Sequence, residues 1–290
     1  MYLDKKGKKW YKVGLHLHTT ISDGVVEPAE MARIYKNAGY DAVAMTDHWR
    51  FHDFDNIEGL TIISGCEYNL GSSDTRHDVM HIVGVGLQKD PQICREETTP
   101  QKTIDDINEA GGLAILAHPH WSLNDKSDIL PLKGFWAVEI YNAVSEAGMS
   151  NRAYSGYIID SLANDGYYLP IIATDDAHYY NGHDHIRGFV MVGAKSTSAE
   201  DILAALRAGD FYASQGPYLN VRREGEKIVA ECSPCTTIAF MSNSAWCPDR
   251  MVRGVSETYA EYTPKNFEKW VRVEVCDRAG NFAWSNIIEL

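Results

Sequence analysis

Nine side chains in the first two-thirds of the chain belong to types that hold divalent ions, and each stands at or near an end of an apolar run. They are His16, His18, Asp23, His48, Glu67, His81, His118, Asp176 and His178. The runs are KVGLHLHTTISDG, DAVAMTDH, TIISGCEYN, HIVGVG, GLAILAHPH and PIIATDDAH. Each reads as a buried strand that delivers a ligand to one rim. Six histidines and three carboxylates suit Zn, Mn or Fe rather than a thiolate site. The chemistry open to such a set is hydrolysis by a water made nucleophilic on the ions. No GxSxG elbow and no P-loop competes with that reading.

His16 and His18 lie two apart, so on a strand they share a face, with Leu15 and Leu17 on the other. Ser22-Asp23-Gly24 is a turn that can fold Asp23 back over the strand end. His48, Glu67, His118 and the Asp176-Ala177-His178 triplet all follow apolar runs, the strand ends at which parallel-barrel chemistry collects. His81 precedes its run, which suits a strand running against its neighbour. Asp47 and Asp175 adjoin ligands and are read as orienting groups or turn caps. Glu139 and Asn142 in VEIYNA end a strand and are expected to touch substrate, and Arg187 or Arg152 to grip a phosphate. His77 and His120 flank His81 and His118 and are the alternative ligands there, while His52 reads as a loop histidine.

The elements that must position these groups alternate through about residue 215. Strands KVGLHLH, DAVAMT, LTIISG, HIVGVGL, LAILAH, WAVEIYNA, PIIAT and GFVMVGA are interleaved with helices. One helix is bracketed by Pro28 and Gly39, one contains IDDINEA, one spans about 151–165, and one follows an N-cap at Ser198. This alternation implies an α/β fold on a mostly parallel sheet, and the number of units favours a closed, TIM-like barrel. LTIISG and HIVGVGL are joined by a segment too short for a helix and read as a hairpin-like excursion. From Tyr218 on, short alternating stretches such as KIVAEC, TIAFMS and WVRVEVCD read as a small C-terminal antiparallel β domain. The expected division is 1–217 and 218–290. Trp246, Trp270 and Trp284 are expected to fill that domain's core or its interface with the barrel.

The chain has 290 residues and a formal net charge of −13, which disfavours a basic nucleic-acid-binding surface. No stable nucleic-acid complex is expected, although ions in the site would attract phosphate. No run reaches the roughly 18 apolar residues of a membrane span, and no signal peptide is legible, so a cytoplasmic location is expected. Six irregularly spaced cysteines, including Cys232-Ser-Pro-Cys235, read as idle thiols in a reducing compartment. Oligomeric state is not legible.

The ordered series HxHxxxSDG, TDH, Glu, His, HP and DxH resembles the PHP (polymerase and histidinol phosphatase) superfamily over about residues 10–215. LRAGDFYASQGP and DRAGNFAWSNII extend the likeness to a PHP branch that includes a carbaryl-hydrolysing metallohydrolase. The resemblance implies a distorted (β/α)7 barrel with two to three divalent ions. It assigns His16, His18, Glu67 and Asp176 to one ion and Glu67, His81 and His118 to a second. Asp23, His48 and His178 fall to a third, and Glu67, Asp176 and His178 form the catalytic core. The activity it implies is metal-dependent hydrolysis by a metal-bridging hydroxide, first of all as a phosphoesterase (EC 3.1) on small phosphomonoesters, nucleotides or oligonucleotide ends. A carboxylic ester, carbamate or amide hydrolase with the same centre is the alternative. A non-catalytic metal- or ligand-binding protein is the third reading.

Overall fold

A computed structural model describes residues 1–4, 7–71, 79–146 and 150–290. His77 lies outside the described residues. The elements run β1 (Tyr2–Leu3), β2 (Lys9–Gly14), α1 (Pro28–Asn37), β3 (Ala42–Ala44), β4 (Asn56–Ile57), β5 (Leu60–Ile63), β6 (Gly65–Leu70) and β7 (Met80–Val85). There follow α2 (Pro100–Glu109), β8 (Leu113–Leu116), α3 (Lys126–Ile129), β9 (Ala137–Asn142), α4 (Gly156–Asn164) and β10 (Ile171–Thr174). Next come β11 (Phe189–Val192), α5 (Ala199–Arg207), β12 (Phe211–Ser214), β13 (Leu219–Glu224) and β14 (Lys227–Ser242). The chain closes with β15 (Met251–Tyr262), β16 (Trp270–Cys276), β17 (Phe282–Trp284) and β18 (Ile288–Glu289).

Local chemistry sets the helix boundaries. Pro28 opens α1, where its missing N–H costs nothing, and the helix buries Met31, Ala32 and Tyr35 on one face. Thr99 caps α2 by accepting from the Lys102 amide, and Ser198 caps α5 by accepting from Asp201. α4 starts at Gly156, later than the expected 151. The chain before it is held by an isolated β-bridge between Tyr141 and Tyr154 and by the Ser155 amide on the Ile140 carbonyl. Those contacts keep Tyr154 extended.

The strands form two sheets. A five-stranded sheet has the order β10-β9-β8-β7-β6, and a 13-stranded sheet follows β13-β14-β16-β17-β12-β11-β2-β3-β5-β4, with β1, β15 and β18 attached at its sides. The single run LTIISG serves both. β5 pairs with β3 in the large sheet, and β6, resuming after Ser64, pairs with β7 in the small one.

The pairing corrects the expectation of a mostly parallel sheet. Parallel pairs are β2/β3, β3/β5, β8/β9 and β9/β10, whereas β6/β7, β7/β8 and β2/β11 are antiparallel. The β6–β7 connection is shorter than the dozen or so residues a parallel crossover needs, so β7 must run back beside β6. His81 therefore reaches the same rim from the start of its strand.

The two sheets pack on each other. Val13, Ala44 and Ile63 from the large sheet share one buried cluster with Val83, Ile115 and Ile172 from the small one. Isolated β-bridges join the sheets at Leu17–Ala177 and at His48–Glu67, where the ligand-bearing segments leave them. The C-terminal strands are antiparallel, as their alternation implies. They extend the large sheet rather than forming a sheet of their own, because Ala283 and Trp284 of β17 pair with Ser214 and Ala213 of β12. Trp284 is buried among Tyr141, Ile140 and Leu162, and Trp270 is also fully enclosed, whereas Trp246 is 75% exposed.

Candidate metal centre

All nine residues singled out from the sequence meet in one place. His16 and His18 sit just past β2, His48 past β3, His118 past β8, and Asp176 and His178 past β10, while Glu67 and His81 project from β6 and β7. Their ligand atoms fall into three groups, each with all atoms within 4.8 Å of one another. The groups are His16, His18, Glu67 and Asp176; Glu67, His81 and His118; and His18, Asp23, His48 and His178. His120 and His52 join none of them. His120 faces the Tyr154 carbonyl at 2.9 Å, and His52 is buried against Asp47.

The spacing is that of donors around shared cations. Nε2 of His16 and Nε2 of His18 lie 3.3 Å apart, and both lie 3.0–3.1 Å from Glu67 Oε2 and 3.1 Å from Asp176 Oδ1. Donors about 2.0–2.1 Å from one tetrahedral ion stand about 3.3 Å apart. Glu67 Oε2, Asp176 Oδ1 and His48 Nδ1 are buried and have no hydrogen bond. Orphaned buried groups of this kind are costly, and divalent ions would satisfy all three. The donor set and these three atoms fit two to three such ions.

Partners behind the histidines leave one ring nitrogen of each aimed inward. Glu139 Oε1 meets His16 Nδ1 at 2.8 Å, Ser122 Oγ meets His118 Nδ1 at 3.1 Å, and the Asp176 carbonyl meets His178 Nδ1 at 2.7 Å. Such partners fix ring tilt and tautomer. Asp47 accepts from the Thr19 and Ser22 amides and both hydroxyls, so it ties down the loop that carries Asp23. Asp175 accepts from the Ile186, Arg187 and Gly188 amides and from Tyr35, anchoring the far side of the Asp176 turn. His118 and Asp176 occupy the left-handed region, at φ 27° and 54°, a strain typical of functional turns.

The carboxylates and imidazoles tune one another. Burial opposes ionisation of Glu67, yet the charges of His16 and His48 outweigh it and hold the carboxyl well below the usual range. Asp176 is held down in the same way by His16 and His18. Burial also opposes the charged form of His18, but Asp176 and Glu67 win and raise it to about 9. Burial prevails at His48, which falls to about 4, and at His81. Those two rings are neutral near pH 7, with lone pairs free for an ion.

Two expectations about substrate contact are corrected. Glu139 and Asn142 are fully buried beneath the histidines. Besides His16, Glu139 accepts from the His118 amide and from Asn142, and Asn142 also donates to Asp176 at 3.1 Å. Both groups build the ligand scaffold. Arg187 lies outside the metal cavity, with its guanidinium toward Tyr141 and Glu146. The sequence reading missed Ser122 and Asp184. Asp184, 1% exposed, accepts from the His178 amide at 2.8 Å and from the Tyr179 amide. A serine and an aspartate in polar loops carry no signal of such roles. Trp121, whose ring packs on His81 and His118 at 5.5 and 4.9 Å, was also missed, though an aromatic directly after a His-Pro-His run was a visible cue.

Residues 14–181 match the PHP domain family model. This chain belongs to the PHP family. Among curated relatives, the uncharacterized protein MJ1587 of Methanocaldococcus jannaschii is 31% identical over 166 residues, covering 52% of this chain and 93% of that protein. A 5'-3' exoribonuclease of Haemophilus influenzae is 28% identical over 151 residues, and the alignment spans only 43% of that enzyme. A solved two-domain protein from Bacteroides vulgatus, described as containing a predicted PHP-like metal-dependent phosphoesterase, matches 99% of this chain and 98% of its own, with TM-score 0.57 and 15% identity. That likeness concerns the fold alone. Family and donor set together make this PHP protein a metal-dependent hydrolase in kind.

Proposed function

We propose that this PHP protein is a phosphoesterase acting on small phosphomonoesters, nucleotides or oligonucleotide ends, with up to three divalent ions held by the nine residues. The observation that carries the reading is the trio of orphaned buried atoms, Glu67 Oε2, Asp176 Oδ1 and His48 Nδ1, at the junction of the three ligand groups. Glu67 would hold two ions, since Oε2 faces His16 and His18 while Oε1 faces His81 at 3.0 Å and His118 at 3.5 Å. Asp23, His48 and His178 would hold the outermost ion. When bound, the ions supply Lewis acidity and lower the pKa of water held beside them. The protein's part is to hold those donors rigid, and Trp121 and Val144 wall the cavity against bulk water. Three cations' worth of charge favours a dianionic phosphoryl group over a neutral ester. The relative's exoribonuclease activity supports the nucleotide end of this range. The isolated bridges at Leu17–Ala177 and His48–Glu67 support a distorted barrel closing around the site.

The test is elemental analysis of purified protein, with turnover of nitrophenyl phosphate and nitrophenyl acetate on the same sample, for the natural chain and His178→Ala. Two to three ions with phosphate turnover are expected, and about one ion fewer in the variant. Turnover of the acetate alone would transfer the reading to carboxylic esters or carbamates. Absence of both ions and turnover after reconstitution with Mn, Fe or Zn would end it.

A further inference from the structure

The metal cavity, about 180 Å³, is smaller than the about 300–1,000 Å³ usual for ligand sites. A phosphoryl group would leave little room in it for the rest of a substrate. Asp23 and His48 are also part of the wall of a second, wider cavity of about 580 Å³. The two spaces therefore meet at the outermost ligand group.

The second cavity has a composition of its own. Trp49, directly after His48, is held at φ 57°, and its indole N–H donates to Asn69. Its ring packs edge-on against Tyr68 at 5.2 Å, and the Arg95 guanidinium lies over it at 5.2 Å. Phe51 and Ile93 add apolar wall, and Arg50 joins Arg95 as a second cation. Neither arginine makes an ion pair with an acidic side chain among the described residues, although the chain carries a net −13. Asp90, on the same wall, accepts from the Gln92 amide. Cys66 lines the space as well, but burial pushes its thiol up to about 12, so it serves as wall and not as nucleophile. An aromatic face fixed in position, beside two guanidiniums that make no ion pair with a described acidic side chain, is suited to a flat ring bearing negative charge.

We infer that the Trp49–Arg50–Arg95 cavity is the leaving-group subsite of this enzyme, selecting esters whose alcohol part is a flat ring carrying a second negative group. The inference rests on the hydrolase reading of the metal centre for the position of the reacting bond. The strained backbone at Trp49 then has a use, since it turns the indole toward the leaving group one residue after a metal ligand.

The test has a binding arm and a kinetic arm. In the first, 1-naphthol-4-sulfonate is titrated calorimetrically into metal-stripped protein. Binding is expected, weakened at least about tenfold in Trp49→Ala and in Arg50→Gln/Arg95→Gln, and partly restored in Trp49→Phe. In the second, the ratio of kcat/KM for 1-naphthyl phosphate to that for methyl phosphate is compared across the same proteins. The better leaving-group ability of naphthol enters this ratio in every protein alike, so the subsite is read from the change, a fall of at least about tenfold from the natural chain to Trp49→Ala. No sulfonate binding, or a ratio untouched by every variant, would overturn the subsite. If no phosphate is turned over but the sulfonate binds and the variants weaken it, the subsite stands and the phosphoesterase reading falls. The same ratio measured on naphthyl and methyl acetates would then locate the subsite relative to the ester bond.

Discussion

Glu67 shows how much of the centre turns on one side chain. It is 1% exposed, and its two oxygens face different histidine pairs. Glu67→Gln keeps the shape but removes the charge, and hydrolysis is expected to fall at least about 100-fold. Near-normal kcat in the variant would refute its double role. His18 supplies a pH signature. Its value, raised to about 9, means that an ion binding at pH 7.5 must displace a proton there. Calorimetry in two buffers of different ionisation enthalpy should then report release of at least about one proton per chain, and zero release would contradict it. In metal-stripped protein the sign reverses for stability. The raised value contributes fully below pH 6.5, its ordinary value, and the contribution is lost as pH climbs through about 9. Thermal melting in chelator should show Tm falling over that window, whereas metal-loaded protein should not. The ligands were legible because each interrupts or ends an apolar run. Glu139 was legible as a site residue but not in its role. A carboxylate at a strand end reads as facing the mouth, and only the fold places His16 over it.

At the scale of elements, α4 is fastened by the C-terminal strands. The Arg272 guanidinium, fully buried on β16, meets Asp160 of α4 through Nε at 2.6 Å and Nη2 at 2.9 Å, and it also contacts Glu274. Trp270 adds a hydrogen bond to Asn164 at 3.2 Å. Removing one partner of a buried pair leaves the other uncompensated, so Arg272→Leu is expected to destabilise by about 3–5 kcal/mol. Denaturant unfolding measures this, and a loss under about 1 kcal/mol would show that the pair is dispensable. The sequence could not foretell this clamp. Arginine in the alternating stretch WVRVEVCD reads as an outward position, and it becomes an inward one only because α4 lies against that face. The direction of β7, by contrast, was legible, because the segment joining it to β6 is too short to cross over and His81 precedes its apolar run.

For the molecule as a whole, the question is whether residues 218–290 form a module or a part of the catalytic body. Their period-2 pattern is the same in either case, so the expected division at 217/218 could be drawn from sequence while its consequence could not. Hydrogen bonds run without interruption from β14 through β16 and β17 to β12 and on to β11 and β2, the strand that carries His16 and His18 at its end. Trp284 of β17 is 1% exposed, and its ring stacks on Tyr141 of β9 at 6.1 Å and on Tyr154, just ahead of α4, at 6.4 Å. A segment cut at 218 would expose that indole, Trp270 and the whole edge of β17 to water, with the Arg272 charge left without Asp160. Such a piece is expected to be unfolded alone, with little chemical-shift dispersion and no cooperative melt. Residues 1–217 alone should lose α4 anchorage and bind ions at least about tenfold more weakly, because Asn142 and Glu139 on β9 brace Asp176 and His16 from the layer that Trp284 covers. A folded, cooperatively melting 218–290 fragment, paired with an unimpaired 1–217, would instead make the C-terminal strands an independent module attached to a self-sufficient metal centre.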